Sequence, residues 1–294
     1  MKIAIFGQYY QNDTRPIIRD IFVFFNANNV ELVIEAKFLD ILYKEEILKK
    51  EYKTFSSHQD LDSSFDMLLS IGGDGTILRA VTYVRNSGIP ILGINAGRLG
   101  FLATVPKDNI QEFLQLVLEK KYSISKRTLI SLKCSKPNPE IDNINFALNE
   151  ITVSRKDTTS MITVQTALNG EYLNSYWADG LIVATPTGST GYSLSCGGPV
   201  LTPDVKSLVI TPIAPHNLNA RPLVIPDETT IELKVSGREK NYLISLDSRI
   251  ATVENDSVLT INKTPFQINM VEIHDETFLK TLRKKLLWGE DKRN

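Results

Sequence analysis

The chain is short of the residues that build metal centres and disulfide frameworks. Its 294 residues include two cysteines and three histidines. Cys134 and Cys196 stand far apart with no CxxC pattern, and His58, His216 and His274 are scattered. That argues against a secreted disulfide scaffold and against a zinc site, and fits a reducing compartment. No sign of charge dominates, since 33 Lys and Arg face 34 Asp and Glu, leaving −1. There is then no electrostatic case for nucleic acid or for an anionic membrane surface. Long apolar runs are missing too. The longest, IFVFF at 21–25, falls far below the roughly 20 residues a spanning helix takes. The start, MKIAIFGQYYQND, is too short in apolar residues for a signal peptide. These absences lead to the expectation of a soluble, cytoplasmic protein.

Several familiar signatures are also absent. No G-K-[ST] completes a Walker A loop, and KIAIFG offers only Gly7 where a Rossmann fingerprint needs G-x-G-x-x-G. Gly188-Ser189-Thr190-Gly191 has the wrong spacing for a nucleophile elbow, and no Ser/His/Asp order is evident.

What is present has two textures. The first part alternates strand and helix. KIAIF (2–6), VELVIEA, MLLSI (67–71) and IPILGIN read as buried strands. Between them, Thr14 is expected to cap a helix with Pro16 in its first turn, and Ile17, Ile18, Ile21, Phe22 and Phe25 recur at helical spacing. Residues 37–64 are charged and irregular, with helix around 40–50. TILRAVTYVRNSG reads as a helix ending at Gly88. Asp108 is the expected cap of a helix whose stripe is Ile110, Phe113, Leu114 and Val117. Repeated β–α–β units imply a parallel sheet with helices on its faces.

From about residue 123 the pattern is β-rich, from RTLISLKC to FQINMVEI, with no convincing helical segment. Asn169-Gly170 in LNGEY is a strong signal for a type I′ hairpin. The end returns to helix, with Phe278, Leu279, Leu282 and Leu286 on one face, Asp275 and Glu276 before it and Lys284 and Lys285 late. The expected fold is α/β plus all-β. A Rossmann-like parallel α/β domain covers 1–122 plus 275–294, a β-sandwich-like domain covers 123–274, and the active site lies between them.

Five stretches carry candidate chemistry. SIGGDGTILRA (70–80) sets Asp74 among glycines where a parallel strand meets a helix, which is where α/β sheets place ligands. Backbone N–H groups there suit an anion, and glycine admits a phosphate closely. A carboxylate in that place makes sense as the acceptor of a proton from an attacking hydroxyl, or as a partner of Mg²⁺. The ordinary alternative is that Asp74 or Thr76 caps the helix, worth roughly 1 kcal/mol. A cap needs none of the three surrounding glycines.

TPTGSTGYSLSCGGP (185–199) holds four glycines, two prolines and seven hydroxyl side chains. Such a stretch offers donors without bulk, as a nucleotide site requires, or is a polar loop between strands. Asn149-Glu150, inside an apolar strand, reads as a turn or edge, or as a pair binding the two hydroxyls of a ribose. Asp179-Gly180 reads as a tight turn. GINAGRLGF (93–101) is a second glycine-rich strand exit.

Taken together, GGDGT at 72–76, GINAGRLGFL at 93–102, NE at 149–150, DGLIVATPTGSTGYSLSCGGP at 179–199 and TPIAPHNLNARPLVIP at 211–226 resemble the NAD kinases in order and spacing. GGDGT alone is shared with lipid kinases, and phosphofructokinases have a similar loop; the long motif plus NE singles out NAD kinase. The resemblance implies transfer of the γ-phosphoryl of ATP to the 2′-hydroxyl of the adenosine ribose of NAD, giving NADP and ADP, with a divalent cation (Mg²⁺) assisting. It implies Asp74 as proton acceptor and Gly75 in the same nucleotide loop. Asn149 and Glu150 become ribose contacts. Asp179 and the stretch Thr190, Gly191, Tyr192, Ser193, Leu194 and Ser195 become contacts to the base and nicotinamide ends. Arg79, Phe101, Thr187, Ala214 and Arg249 fall at further nucleotide positions, and no protein side chain is assigned to a metal. It also implies a homo-oligomer, dimer or tetramer, with no nucleic-acid or membrane partner. Gly191 stands where alanine is common, Trp177 where some members have arginine, and Arg249 where a glutamine can occur. Two rivals stay open: a lipid kinase, for which no greasy acceptor segment is seen, and an NAD-binding regulatory module without turnover.

Overall fold

A computed structural model describes residues 1–9, 11–97, 99–105, 110–156, 160–273 and 277–288, for 11–13 the backbone only. The chain divides into two compact units, one of residues 1–126 with the chain from 268 on, the other of residues 127–267.

In the first unit the order is β1 (Lys2–Gly7), α1 (Gln11–Ala27), β2 (Glu31–Glu35), α2 (Ala36–Lys44), β3 (Lys53–Phe55), β4 (Met67–Gly72), α3 (Asp74–Val84), β5 (Ile91–Asn95) and α4 (Ile110–Leu118). The five strands pair in parallel in the order β3-β2-β1-β4-β5. Strands β1, β4 and β5 bury every or nearly every residue, as expected of parallel strands covered on both faces. The order reverses between β1 and β4. At such a switch point the loops leaving the two strands diverge to opposite faces and open a crevice at the strands' carboxyl ends. The GGDGT stretch is the exit of β4.

Several local expectations are corrected. Helix α1 begins at Gln11, so Thr14 is a buried residue of its first turn and not its cap, and Pro16 is internal. Burial of Ile17, Ile18, Ile21, Phe22 and Phe25 in one core outweighs the single backbone bond that Pro16 forgoes near the helix start. Helix α3 stops at Val84, four residues before Gly88, because Arg85 turns to φ 47° as its C-cap. The charged stretch 37–64 holds α2 and also the short strand β3, which extends the sheet beyond β2. Asp108, Asp275 and Glu276 lie outside the described residues.

The second unit contains β6 (Ser123–Cys134, from Arg127 on), α5 (Pro139–Asp142), β7 (Phe146–Ala147), β8 (Glu150–Ser154), β9 (Ile162–Leu168), β10 (Glu171–Ala178), β11 (Gly180–Ala184), α6 (Tyr192–Ser195), β12 (Ser207–Ile213), β13 (Leu223–Pro226), β14 (Ile231–Ser236), β15 (Asn241–Leu246), β16 (Arg249–Glu254) and β17 (Val258–Glu272) up to Gln267. Two helices of four residues, α5 and α6, interrupt the β pattern. One antiparallel sheet runs β13-β12-β11-β8-β15-β16; in the other, β10-β9-β14-β17 follow one another. Val164, Leu233 and Ile261 of the second sheet share a core with Val153, Val183, Ile210 and Ile244 of the first. That is the sandwich expected from period-two patterning. Asn169 (φ 51°) and Gly170 (φ 82°) turn β9 into β10 as the hairpin signal requires.

The last helix, α7 (Phe278–Leu286), belongs to the first unit and is capped by Thr277, whose side chain accepts from the Lys280 amide. It buries Leu282 while Leu279 is exposed, so the expected four-residue face is narrower than its spacing suggests. Phe278 packs near Phe101, with ring centroids 6.3 Å apart.

Candidate functional site

Asp74 opens α3 but caps nothing. The N-cap is Gly73, with no side-chain bond, and the Thr76 hydroxyl donates to Gln8 Oε1 at 3.1 Å. The Asp74 carboxylate instead accepts three successive backbone amides of the second glycine-rich loop: Phe101 to Oδ2 at 2.7 Å, and Leu102 and Ala103 to Oδ1 at 3.0 Å each. Three of roughly four lone-pair positions are thereby taken, leaving room for about one more partner. This approach requires Gly100, since a Cβ there would collide with the Asp74 carboxyl. Gly73 and Gly75 face open space, so the glycines clear the surroundings of Asp74 and are not demanded by packing. The alternative of a simple helix cap does not describe this carboxylate.

Arg79, one turn further along α3, is exposed and lines a cavity of about 490 Å³ at the carboxyl ends of β1 and β2, with Gly7, Gln8, Glu35, Lys37 and Tyr83. Glu35 is buried there and accepts from the Phe38 amide at 2.8 Å and the Tyr83 hydroxyl at 3.4 Å. Phe101 has the Lys285 ammonium 5.7 Å from its ring.

In the second unit, Asn149 and Glu150 stand where β8 begins. Their segment is held from two sides. Thr185, at the exit of β11, donates its amide to the Asn149 carbonyl (2.9 Å) and its hydroxyl to the Leu148 carbonyl (2.5 Å). Asp247, in the turn from β15 to β16, accepts the amides of Leu148 (3.0 Å), Asn149 (2.8 Å) and Glu150 (3.3 Å).

The TGSTGY turn packs onto this pair. Gly188 passes so close to the Asn149 backbone that any Cβ would clash, and a Cβ at Gly191 would lie 3.1 Å from Glu150 Oε2 and 3.6 Å from Asn149 Nδ2. Asn149 Oδ1 and Glu150 Oε2 are both buried without a hydrogen-bond partner among the described residues. Burial, then the neighbouring Asp247 charge, push the Glu150 carboxyl up to about 8, against the opposing pull of the Tyr192 amide. Burial thus favours the neutral acid form of Glu150, which can donate as well as accept.

The other expected positions distribute as follows. Thr187 and Ser193 are buried, and the Ser193 and Thr211 hydroxyls are 2.8 Å apart. Thr190 donates to the Thr187 carbonyl (3.2 Å), Leu194 is half-buried, and Tyr192 and Ser195 are exposed. Partial loss of solvent around the exposed Tyr192, then the charges of Cys196, Asp179 and Glu150, raise its phenol, which puts it within electrostatic reach of both acids. Asp179 pairs with Arg155 at 3.1 Å and donates its amide to the Ile213 carbonyl. Ala214, next along, holds φ 43°, a left-handed conformation that costs a non-glycine residue on the order of 1 kcal/mol or more. Arg249 stands beside Asp247, at the corner that holds the Asn149–Glu150 pair. Its guanidinium donates to the carbonyls of Ile144 (2.6 Å) and Phe146 and lies 3.9 Å from Asp247.

Sequence reading missed Gly100, Thr185 and Asp247. The first two sat inside motifs already noticed; Asp247-Ser248 reads as ordinary hairpin chemistry. Among the described residues no three His, Cys, Asp or Glu side chains gather as a metal cage, and no helix is long and apolar enough to cross a membrane.

Comparison with known proteins agrees along the whole chain. Residues 19–122 match the family described as ATP-NAD kinase N-terminal domain, and 148–273 the ATP-NAD kinase C-terminal domain. The chain is 74% identical to the NAD kinase of Flavobacterium psychrophilum and 42% identical to that of Bacteroides fragilis, in each case over 100% of both chains. Among solved structures it is similar to an NAD kinase from Archaeoglobus fulgidus in complex with ATP, with 28% identity, a TM-score of 0.75 and coverage of 97% of this chain and 98% of that one. Yeast NADH kinase complexed with NADH gives a TM-score of 0.87 at 22% identity over 98% of this chain and 88% of that one, a likeness of fold.

Proposed function

This chain belongs to the NAD kinase family and is a phosphotransferase, and from that premise we propose how its own residues move the γ-phosphoryl of ATP onto the 2′-hydroxyl of the adenosine ribose of NAD. The observation that carries the reading is the pair of buried, unpartnered oxygens on adjacent residues, Asn149 Oδ1 and Glu150 Oε2. Buried polar atoms ordinarily have partners, and leaving one unpaired costs about 1–3 kcal/mol. A vicinal diol satisfies both: one sugar hydroxyl donates to Asn149 Oδ1, and the other accepts from, or donates to, the neutral Glu150 carboxyl.

Phosphoryl transfer asks the protein mainly for positioning and charge stabilisation. The ribose hydroxyl is a weak nucleophile until its proton has somewhere to go. Asp74 is the group we assign to take it, through the lone pair that its three amide partners leave over. Gly73 and Gly75 supply the room. Arg79, Phe101, Asp179, Thr187, the Thr190–Ser195 stretch and Ala214 are the remaining nucleotide contacts in this reading.

The same three amides favour a second reading, in which Asp74 only shapes the loop at 101–103. Asp74→Asn separates the two. A base role predicts that turnover at saturating NAD falls by about 10²–10⁴, roughly 3–5 kcal/mol of barrier, whatever affinity is lost where the new N–H₂ meets the Phe101 amide. Loss of nucleotide affinity with turnover at saturation near wild type identifies the loop-shaping role instead.

Mg²⁺ is bound reluctantly by all-protein cages and is typically held by one or two carboxylates with substrate phosphates. In this reading the cation comes with the nucleotide phosphates, where it would supply charge neutralisation. Dimeric or tetrameric assembly, a cytoplasmic location and a place in NADP formation complete the proposal. Incubation with NAD, ATP and Mg²⁺, with NADP read by a coupled dehydrogenase, tests the activity, and light scattering tests the assembly.

A further inference from the structure

A carboxylate in a two-residue hairpin turn ordinarily bonds its own neighbourhood, which is why Asp is common there. Asp247 does otherwise. It holds φ 54° in the turn, and its side chain, only 3% exposed, reaches a segment 97 to 99 residues earlier in the chain. There it collects three consecutive amides, those of Leu148, Asn149 and Glu150, and returns its own amide to the Glu150 carbonyl at 2.9 Å. Burying a carboxylate is costly unless it is well bonded. Here two of the three bonding partners are the backbone amides of the residues whose side chains carry the unpartnered oxygens. Arg249, 3.9 Å away, ties the same corner to the Ile144 and Phe146 carbonyls.

We propose that Asp247 is the positioning residue of the Asn149–Glu150 pair, fixing by its three amide bonds where those two side chains stand for the sugar. It does not touch substrate; it acts through the peptide planes at 148–150. The proposal rests on the reading of that pair as the ribose contacts.

Asp247→Asn keeps an acceptor for the Asn149 and Glu150 amides but turns an N–H₂ toward the Leu148 amide, so the clamp is broken at one of three points. The test compares Asp247→Asn, Asn149→Ala and the double variant in the full chain, with folding checked by near-UV circular dichroism. Asp247→Ser serves under the same criteria if the first variant does not fold. For Asp247→Asn the KM and Kd for NAD are expected to rise at least about tenfold while the KM for ATP stays within about twofold. On the Asn149→Ala background the same substitution is expected to add clearly less than it costs in the otherwise unchanged chain, because part of its effect runs through a side chain already removed. A merely structural role would weaken both substrates together and add fully in the double variant, and either result overturns the proposal. If Asn149→Ala weakens NAD but Asp247→Asn does not, the positioning role alone fails. If Asn149→Ala leaves NAD affinity unchanged, the ribose reading fails and takes this one with it.

Discussion

Replacing Glu150 by glutamine removes an ionisation while keeping the shape of the side chain. In the folded protein that carboxyl is raised from its ordinary 4.5 to about 8, by burial first and by Asp247 second. The unfolded chain releases the proton near pH 4.5, and the folded chain holds it until about 8. Between those values the folded state carries more protons than the unfolded one, so stability falls as pH rises through the window and the loss is complete above about 8. At roughly 1.4 kcal/mol for each pH unit the whole span amounts to at most about 5 kcal/mol. Sharing of the charge with Asp247, whose own carboxyl is raised by burial and held down by its amides and Arg249, brings the expected figure to about 2–4 kcal/mol.

The assay is urea unfolding of wild type and Glu150→Gln in nucleotide-free buffer at intervals from pH 5 to 9. Near pH 5 both side chains are neutral and the two proteins should agree within about 1 kcal/mol. At pH 9 the variant should be the more stable by about 2–4 kcal/mol, with an unchanged m-value. Parallel loss of stability in the two proteins across pH 5–9 would show that Glu150 ionises as an ordinary carboxyl, and the argument for a neutral acid facing the sugar would fail with it.

Two glycines give opposite expectations. Gly100→Ala drives a Cβ into the Asp74 carboxyl, so the loop amides must leave it; stability should drop by about 1–3 kcal/mol, and NADP formation should fall at least as far as in Asp74→Asn, with wild-type turnover as the refuting result. Gly191→Ala meets Glu150 Oε2 at 3.1 Å and the Gly188 carbonyl at 3.2 Å, at a φ of −96° that any residue adopts. A shift of a few tenths of an ångström relieves both contacts, so urea unfolding should stay within about 1 kcal/mol of wild type, and a tenfold loss of NAD affinity by calorimetry would show the turn to be tighter than the structure has it.

The parallel sheet was legible because its strands are short apolar runs punctuated by glycine, and the hairpin at Asn169-Gly170 because only a few residues tolerate positive φ twice in succession. The sandwich followed from alternation. Strand β3 escaped notice because KTF is three residues in a charged stretch, and its place is set by pairing with β2. Thr14 misled because an N-cap signal and a buried threonine look alike until the core behind the helix is known. Leu279 misled because spacing names a face but not the width of what covers it.

The candidate site divides along the same line. Asp74 and Asn149-Glu150 stood out because their surroundings are odd for their residue types: an acid among glycines, a polar pair in an apolar strand. What holds them did not, because a carboxylate that gathers three amides has partners 27 to 29 residues away for Asp74 and 97 to 99 for Asp247. No local pattern encodes such a bond, since the partners are backbone groups that every residue but proline carries. The two acids use the same device. Each fixes a strand-exit or strand-entry segment by successive amides, which removes the looseness that would otherwise spread a binding geometry over many conformers. They differ in what the device leaves free. Asp247 is almost wholly enclosed, whereas Asp74 is flanked by open space at Gly73 and Gly75. One carboxylate is consequently finished by its amides, and the other keeps an exposed side on which a hydroxyl can be received.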